Sequence, residues 1–104
     1  MQYQLVIQFA AESAETFNEL LALTEIVSSR LESHTSAQVD GHDFGMGEFN
    51  IFIHTDIPLD VLDDVGEIIQ ESRPGLPFAA GYRDFNEDEY VVLWPKSLKH
   101  FFVA

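Results

Sequence analysis

Residues 3–9 alternate between apolar and mostly polar side chains, which is the period-two pattern of a β-strand. One face of this strand carries Tyr3, Leu5, Ile7 and Phe9, and the other carries Gln4, Val6 and Gln8. Residues 48–55 repeat the pattern, with Phe49, Ile51 and Ile53 on one face and Asn50, Phe52 and His54 on the other. The pattern therefore predicts two strands of a sheet that rests one face on a core and turns a mostly polar face away from it.

Two segments have the period of an amphipathic helix. In the first, about residues 13–32, the apolar stripe is Phe17, Leu20, Leu21, Thr24, Val27 and Leu31. In the second, residues 56–73, the stripe is Leu62, Val65, Ile68 and Ile69. We expect Ser13 and Asp56 to cap the two helices, and Pro74 to end the second one, because proline disfavours helix in the residue before it.

The remaining segments are weaker strands and connections. We expect a strand over residues 36–42, a glycine-containing hairpin connection over residues 40–47, strands over residues 78–83 and 89–94, and a turn over residues 84–88 between those two. Residues 95–104 form a C-terminal tail with Leu98, Phe101, Phe102 and Val103 near its end. An apolar patch of this kind is unfavourable in water, so the tail is expected to pack on its own domain or on a second copy.

The resulting order, β-α-β-β-α-β with an extra C-terminal strand, resembles the ferredoxin-like superfold over about residues 3–83. The resemblance implies an α+β fold with two helices on one face of an antiparallel sheet. The expected core is Phe17, Leu20, Val27, Phe49, Ile51, Ile53, Leu62, Val65 and Ile69. Residues 39–56 also resemble a segment of small uncharacterised bacterial proteins, a likeness that transfers no functional residue to this chain.

Length and charge limit the classes of function. The 104 residues correspond to one domain, residues 1–104, and 18 acidic against 5 basic residues give a formal net charge of −13. We therefore expect binding neither to nucleic acid nor to an anionic membrane surface. The chain has no cysteine, which excludes a disulfide and a thiol nucleophile. With no apolar run long enough for a membrane span and no basic segment of a signal peptide, we expect a cytoplasmic protein.

The sheet face that points away from the helices is one candidate binding site. Alternation places a set of mostly polar residues on it: Gln4, Gln8, Asp40, His42, Asn50, Phe52 and His54. With one aromatic ring and no Lys or Arg, this set does not match the RNA-binding face of an RNA-recognition motif. It suits a polar small molecule or a partner, for example in the pocket of a dimeric α+β barrel similar to the antibiotic-biosynthesis-monooxygenase-like proteins. An ordinary solvated face is the alternative.

Catalytic or metal chemistry has less support. Asp40, His42, Asp43, Glu48, His54 and Asp56 are of types that bind divalent metals. Counted from Asp40, however, position twelve of a calcium loop is Ile51, where a glutamate is required. Turn formation accounts for the Asp and Gly residues of this segment, and no phosphate-binding glycine loop or nucleophile elbow is present. We expect no metal, no cofactor and no catalytic residue; an enzyme that uses His42, Asp43 and His54 is the rival interpretation.

Clustered acidic residues form the second candidate site. Five belong to the second helix and four to the last turn: Asp60, Asp63, Asp64, Glu67 and Glu71, then Asp84, Glu87, Asp88 and Glu89. The net charge of −13 exceeds the magnitude of ~2–8 that solubility of a small domain needs. We therefore expect a docking surface for a protein partner of basic character. Immunity-type neutralisation of a basic toxin is one form of this function, and self-association into a homodimer is another.

Overall fold

In the computed structural model, which describes residues 1–34 and 36–103, five antiparallel strands form one sheet with two helices packed on one of its faces. The elements are β1 (Tyr3–Ala10), α1 (Ala14–Leu31), β2 (Ala37–Gly45), β3 (Glu48–Thr55), α2 (Pro58–Ser72), β4 (Ala79–Asp84) and β5 (Val91–Trp94). The strand order is β2-β3-β1-β4-β5, and each neighbouring pair is antiparallel. The predicted α+β class is confirmed. Neither helix of the described residues is long and apolar enough to cross a membrane.

Both helices begin and end near the predicted residues, but only α1 has the predicted cap. The Ser13 hydroxyl accepts a hydrogen bond from the backbone N–H three residues later, at 3.1 Å. Asp56 does not cap α2, because its Oδ1 accepts the backbone N–H of Gln2 at 2.8 Å. The reason lies in the sheet: Tyr3 pairs with Thr55, which brings the residue before β1 next to the residue after β3.

The β2–β3 hairpin is tighter than the glycine pattern predicted. Strand β2 extends to Gly45, and the two-residue loop Met46-Gly47 joins it to β3. Both loop residues have positive φ angles, 56° and 76°, as a type I′ turn requires. Earlier in β2, the pairing with β3 shifts between Val39 and Gly41, so that Asp40 forms a β-bulge. Such a bulge reverses the faces that simple alternation assigns to the residues after it.

The core lies between the two helices and the sheet. Of the nine residues predicted to form it, seven are buried: Leu20, Val27, Phe49, Ile51, Ile53, Val65 and Ile69. Phe17 and Leu62 instead pack half-buried at the margin of the core. The largest contacts of α1 with the sheet are to β2 and those of α2 are to β1. Strand β5, at the edge of the sheet, therefore lies beyond the main cover of the helices.

The tail, described over residues 95–103, packs on the sheet face opposite the helices; Ala104 lies outside the described residues. Phe101 is only 6% exposed, and its ring lies against Gly81 of β4, where a Cβ atom would approach the ring to 2.8 Å. Val6, which pairs with Gly81, is fully buried on this face. Of the two packing partners expected for the tail, the structure shows its own domain.

Candidate functional site

A hydrogen-bonded polar network crosses the sheet face opposite the helices. The Gln8 side chain of β1 donates to Asn50 Oδ1 of β3 at 3.0 Å, and Asn50 Nδ2 donates to Asp43 Oδ1 of β2 at 3.2 Å. Asn50 is 1% exposed, so these bonds satisfy an amide whose burial would otherwise be costly. Asn50 is therefore buried, but on the face that the helices do not cover.

A second group of contacts on this face surrounds Gln4. Its Oε1 accepts hydrogen bonds from Arg83 Nε at 3.1 Å and from the Tyr90 hydroxyl at 3.0 Å. The Arg83 guanidinium also lies 5.4 Å from the centre of the Phe85 ring, within the range of a cation–π contact. Arg83 of β4 and Tyr90 of the β4–β5 connection thus bond to Gln4, a residue that the sequence analysis assigned to ligand binding.

The structure brings six of the seven predicted residues of this face together: Gln4, Gln8, Asp40, Asn50, Phe52 and His54. His54 Nε2 lies 3.4 Å from Asp40 Oδ2, and Phe52 is half-buried between Val6 and Gly41 on the neighbouring strands.

His42 does not share the face with the other six, contrary to the expectation from alternation. It pairs with Ile51, and its ring stacks on Phe49 of the helix-covered face at 5.3 Å between centroids. The bulge at Asp40 is the physical reason, because its extra residue places each later side chain of β2 on the sheet face opposite to the one that alternation assigns. Asp43 lies on the polar sheet face where His42 was expected. The sequence predicts this position of Asp43 only if the bulge is known beforehand.

The chain's own tail already occupies part of this sheet face. The Gln8 side chain donates a second hydrogen bond, to the Phe102 carbonyl at 2.8 Å, and the Phe101 ring lies 5.4 Å from that of Tyr90. This position of the tail on the sheet was not predicted from the sequence. The available signal was Gly81, a glycine inside a strand, which often marks a close approach by another segment.

The acidic residues of α2 divide between two sides of the helix. Glu71 Oε2 pairs with Arg30 of α1 at 3.1 Å, and Asp64 Oδ2 lies 3.4 Å from His34 Nε2, so these two carboxylates face α1. The other three are exposed and, among the described residues, have no Lys, Arg or His nitrogen within 4.0 Å: Asp60, Asp63 and Glu67. This second group is the part of the α2 charge that makes no ion pair among the described residues.

In the last turn, the Asp84 carboxylate is held by hydrogen bonds within the chain. Its Oδ1 accepts the backbone N–H of Asn86 at 2.9 Å, and its Oδ2 accepts the Gln2 side-chain amide at 2.7 Å. These bonds, with the Asn86 N–H contributing most, hold the pKa of Asp84 below its ordinary value of 3.8. The other three acidic residues predicted there, Glu87, Asp88 and Glu89, are exposed.

An apolar groove between α2 and β5, which sequence analysis did not anticipate, adjoins the free carboxylates. We call it the α2–β5 groove; it has a volume of about 480 Å³ and is lined by Leu62, Gly66, Phe78 and Trp94, with Asp63, Glu67 and Gln70 along its helix side. The Phe78 and Trp94 rings lie 6.4 Å apart, and Trp94 is 44% exposed. An apolar floor with a charged rim is the composition of a protein interface.

The helical period contained a signal for this groove. Leu59, Leu62 and Gly66 follow one another at spacings of three and four, which puts them on one side of α2, beside the stripe that enters the core. Leu59 is 58% exposed, so it extends the apolar side of α2 toward the start of the helix. The sequence could not show that Trp94 of the edge strand β5 and Phe78, which precedes β4, line the same groove as this side of α2.

Neither a metal centre in the described part of the chain nor a similarity to known proteins adds to the two surfaces above. Within residues 1–34 and 36–103, no group of three or more His, Asp or Glu side chains is arranged to hold a metal ion. A scan against protein-family models and searches of curated proteins and of solved structures found no match to this chain.

Proposed function

We propose that this chain is a small acidic binding module that engages a basic protein partner through the outer side of α2. The observation that carries the proposal is the apolar α2–β5 groove, with the carboxylates of Asp63 and Glu67 on its helix side. Asp60, also exposed, precedes Asp63 by three residues on the same side of α2. Neutralisation of a basic toxin, in the manner of an immunity protein, is one concrete form of this function. A cytoplasmic location is part of the same proposal.

The apolar part of this surface supports binding to a protein. Protein interfaces draw most of their affinity from a few buried anchors, and tryptophan is among the residues most enriched there. Trp94 and Leu59 are both large, apolar and about half exposed. Covering them with a partner removes apolar surface from water, which is favourable by about 25 cal/mol per Å².

The charge of this surface supports a partner of basic character. Three of the five basic residues are engaged elsewhere: Arg30 and Arg73 pair with carboxylates between the helices, and Arg83 bonds to Gln4. These arginines therefore do not pair with Asp60, Asp63 or Glu67, which keep their negative field. Such a field accelerates association with a positively charged partner and disfavours an acidic one.

The alternative function, small-molecule binding or catalysis on the polar sheet face in a dimeric barrel, has less support. Gln4, Gln8 and Asn50 make hydrogen bonds to neighbouring strands, to Tyr90 or to the tail. A ligand beside Gly81 or Gln8 would have to displace the tail residues Phe101 and Phe102. We retain self-association as an outcome to be measured.

A finer fold class belongs to the same proposal. Helix α1 connects β1 to β2, and β3 lies between these two strands in the sheet. This is the split βαβ arrangement, so we propose that residues 3–84 have ferredoxin-like topology and that β5 is an addition at the β4 edge.

Salt dependence of partner capture tests the proposed function. The chain is immobilised and incubated with native lysate at low salt and at ~0.5 M salt, where the Debye length falls to a few ångströms. We expect a basic protein to be retained at low salt and largely lost at high salt. Equal retention at both salt concentrations, or no retained protein, would contradict the proposal.

A further inference from the structure

We infer that the α2–β5 groove binds an amphipathic helix of the partner, with aliphatic side chains on its apolar face and Lys or Arg on its flanks. This inference rests on the proposed function and specifies the structure of the bound segment. It follows from a glycine in α2, from the shape of the uncovered sheet edge and from the charge around the groove.

Gly66 lies inside α2, where glycine is the least favourable residue after proline. No packing contact in residues 1–34 and 36–103 requires a glycine there, because a Cβ atom at this position would meet none of their atoms within 4 Å. Its φ angle is not in the left-handed region either. Because glycine has no side chain, the groove is deeper at this position, and a partner can approach the backbone of α2 closely.

The shape of the uncovered surface fits a helix. Two helices cover a sheet of five strands, and the side chain of Trp94 faces the same side of the sheet as α2, since Trp94 pairs with Ala80 and Ala80 with Ile7 of the core. A third helix beside α2 would continue the helical layer over β5. Helix α2 has 15 residues and is therefore about 22 Å long, enough for three or four turns of contact in the helix-in-groove mode.

A strand added to the edge of β5 is less suitable as the occupant. Strand β5 has only four residues, and Pro95 follows it directly, which limits the backbone groups that can pair with another strand. A strand added at that edge would also leave Leu62 and Gly66 uncovered, because it would lie in the plane of the sheet.

A second copy of the chain is also a poor occupant. A twofold interface at this groove would bring the same surface of both molecules together, and with it two sets of exposed carboxylates from Asp60, Asp63 and Glu67. Like charges placed opposite one another oppose association. Lys or Arg flanking an apolar helix face would instead meet these carboxylates directly.

The test uses Trp94, the only tryptophan of the chain, as the reporter. The full chain is titrated with a synthetic helical peptide of Leu and Lys, about 15 residues long to match α2, with the leucines on one face. We expect the fluorescence of Trp94 to shift to shorter wavelength as the indole is buried. A peptide of identical composition, scrambled so that no apolar face forms, should produce no such shift.

Two variants separate groove occupancy from general attraction to a charged protein. Gly66→Leu fills the groove with a good helix former and should weaken binding of the amphipathic peptide by about tenfold or more, because the added side chain clashes with the occupant. Asn18→Leu places the same side chain on the exposed surface of α1 and should leave the affinity unchanged. Circular dichroism establishes that both variants are folded before they are titrated.

Three results would overturn the inference. One is equal binding of the amphipathic peptide by Gly66→Leu and the unmodified chain; another is an equal Trp94 shift with both peptides. The third is a Trp94 shift that depends on protein concentration alone, which would assign the groove to a second copy instead. In each of these cases, salt-sensitive capture of a basic protein would still support the proposed function, whereas loss of that capture would remove it independently.

Discussion

Gly66 is a residue at which the requirements of the fold and those of the proposed binding diverge. In the interior of a helix, glycine gives up more conformational freedom than any other residue and has no side chain to pack. The neighbouring positions of α2 follow the requirements of the core, with Val65 and Ile69 buried. Gly66 instead borders the α2–β5 groove, so its effect on stability can be measured separately from its effect on binding.

Gly66→Ala should stabilise the chain by about 0.5–1 kcal/mol, because alanine has the higher helix propensity and its methyl group meets no neighbouring atom. Urea denaturation followed by circular dichroism measures the change in the free energy of unfolding. An unchanged or lower stability would show that glycine has a structural role at this position.

Asp84 should titrate below its ordinary pKa of 3.8, because the Asn86 N–H and the Gln2 amide both bond to the charged carboxylate. An NMR titration of the side-chain carboxyl measures the midpoint directly, and Gln2→Ala should move it upward. A midpoint at or above 3.8 in the unmodified chain would contradict this account of the turn.

The lowered pKa of Asp84 fixes the sign of a stability effect. A carboxyl group that is more acidic in the folded state stabilises that state when ionised. Its contribution is complete above the ordinary pKa of 3.8 and is lost as the pH falls through the lowered value. The stability difference between the unmodified chain and Asp84→Asn should therefore shrink as the pH falls below about 3.8, a trend that acid-range urea denaturation can measure.

Among the elements, the C-terminal tail depends on β4 for its position. Phe101 lies against Gly81, and the tail is further held by the bond from Gln8 to the Phe102 carbonyl. The tail has no helix or strand of its own in residues 95–103. Its order therefore comes from packing on the sheet, and a change at Gly81 should release it.

Gly81→Ala should cost about 1–3 kcal/mol, because the new methyl group would lie 2.8 Å from the Phe101 ring and 3.1 Å from the Val91 carbonyl oxygen. Phe101→Ala should cost less in the Gly81→Ala background than in the unmodified chain, since both changes remove the same contact. Gly45→Ala, where a Cβ atom meets nothing within 4 Å, is the control. If urea denaturation showed strictly additive losses in the free energy of unfolding for the two changes, the contact between Phe101 and Gly81 would be contradicted.

The strands and helices could be predicted because local periodicity determines them. The predicted faces were correct for β1 and β3, from alternation, and for α2, from the stripe that includes Val65 and Ile69. Each of these patterns depends on the geometry of one element alone. The face of His42 could not be predicted in this way, because the bulge at Asp40 arises from pairing between two strands. The groove at Trp94 is likewise a product of tertiary packing, which joins residues of the sheet edge to one side of α2.

At the scale of the whole molecule, the negative charge has more than one use. The charge of −13 includes carboxylates such as Glu71 that join the helices, and Asp84, which orders a turn. Asp60, Asp63 and Glu67 are the part that we assign to a partner. Total charge alone therefore does not define the docking surface; the position of each carboxylate relative to the groove does.

Matched removal of charge tests the central claim most directly. One triple variant, the groove-side variant, carries Asp60→Asn, Asp63→Asn and Glu67→Gln, all on the outer side of α2. The other carries Glu12→Gln, Glu25→Gln and Glu32→Gln, exposed residues around α1. Each lowers the magnitude of the formal charge of −13 by the same amount. The measurement is the affinity of each variant at low salt for the basic protein that the unmodified chain captures.

The account predicts that the groove-side variant binds this protein about tenfold more weakly, as three exposed charge contacts of ~0.5 kcal/mol each would give. The α1 variant should bind almost as well as the unmodified chain. An equal loss of affinity in both variants would show that binding follows total charge, and no loss in either would show that these carboxylates do not contact the partner. Either result would contradict a docking surface on α2.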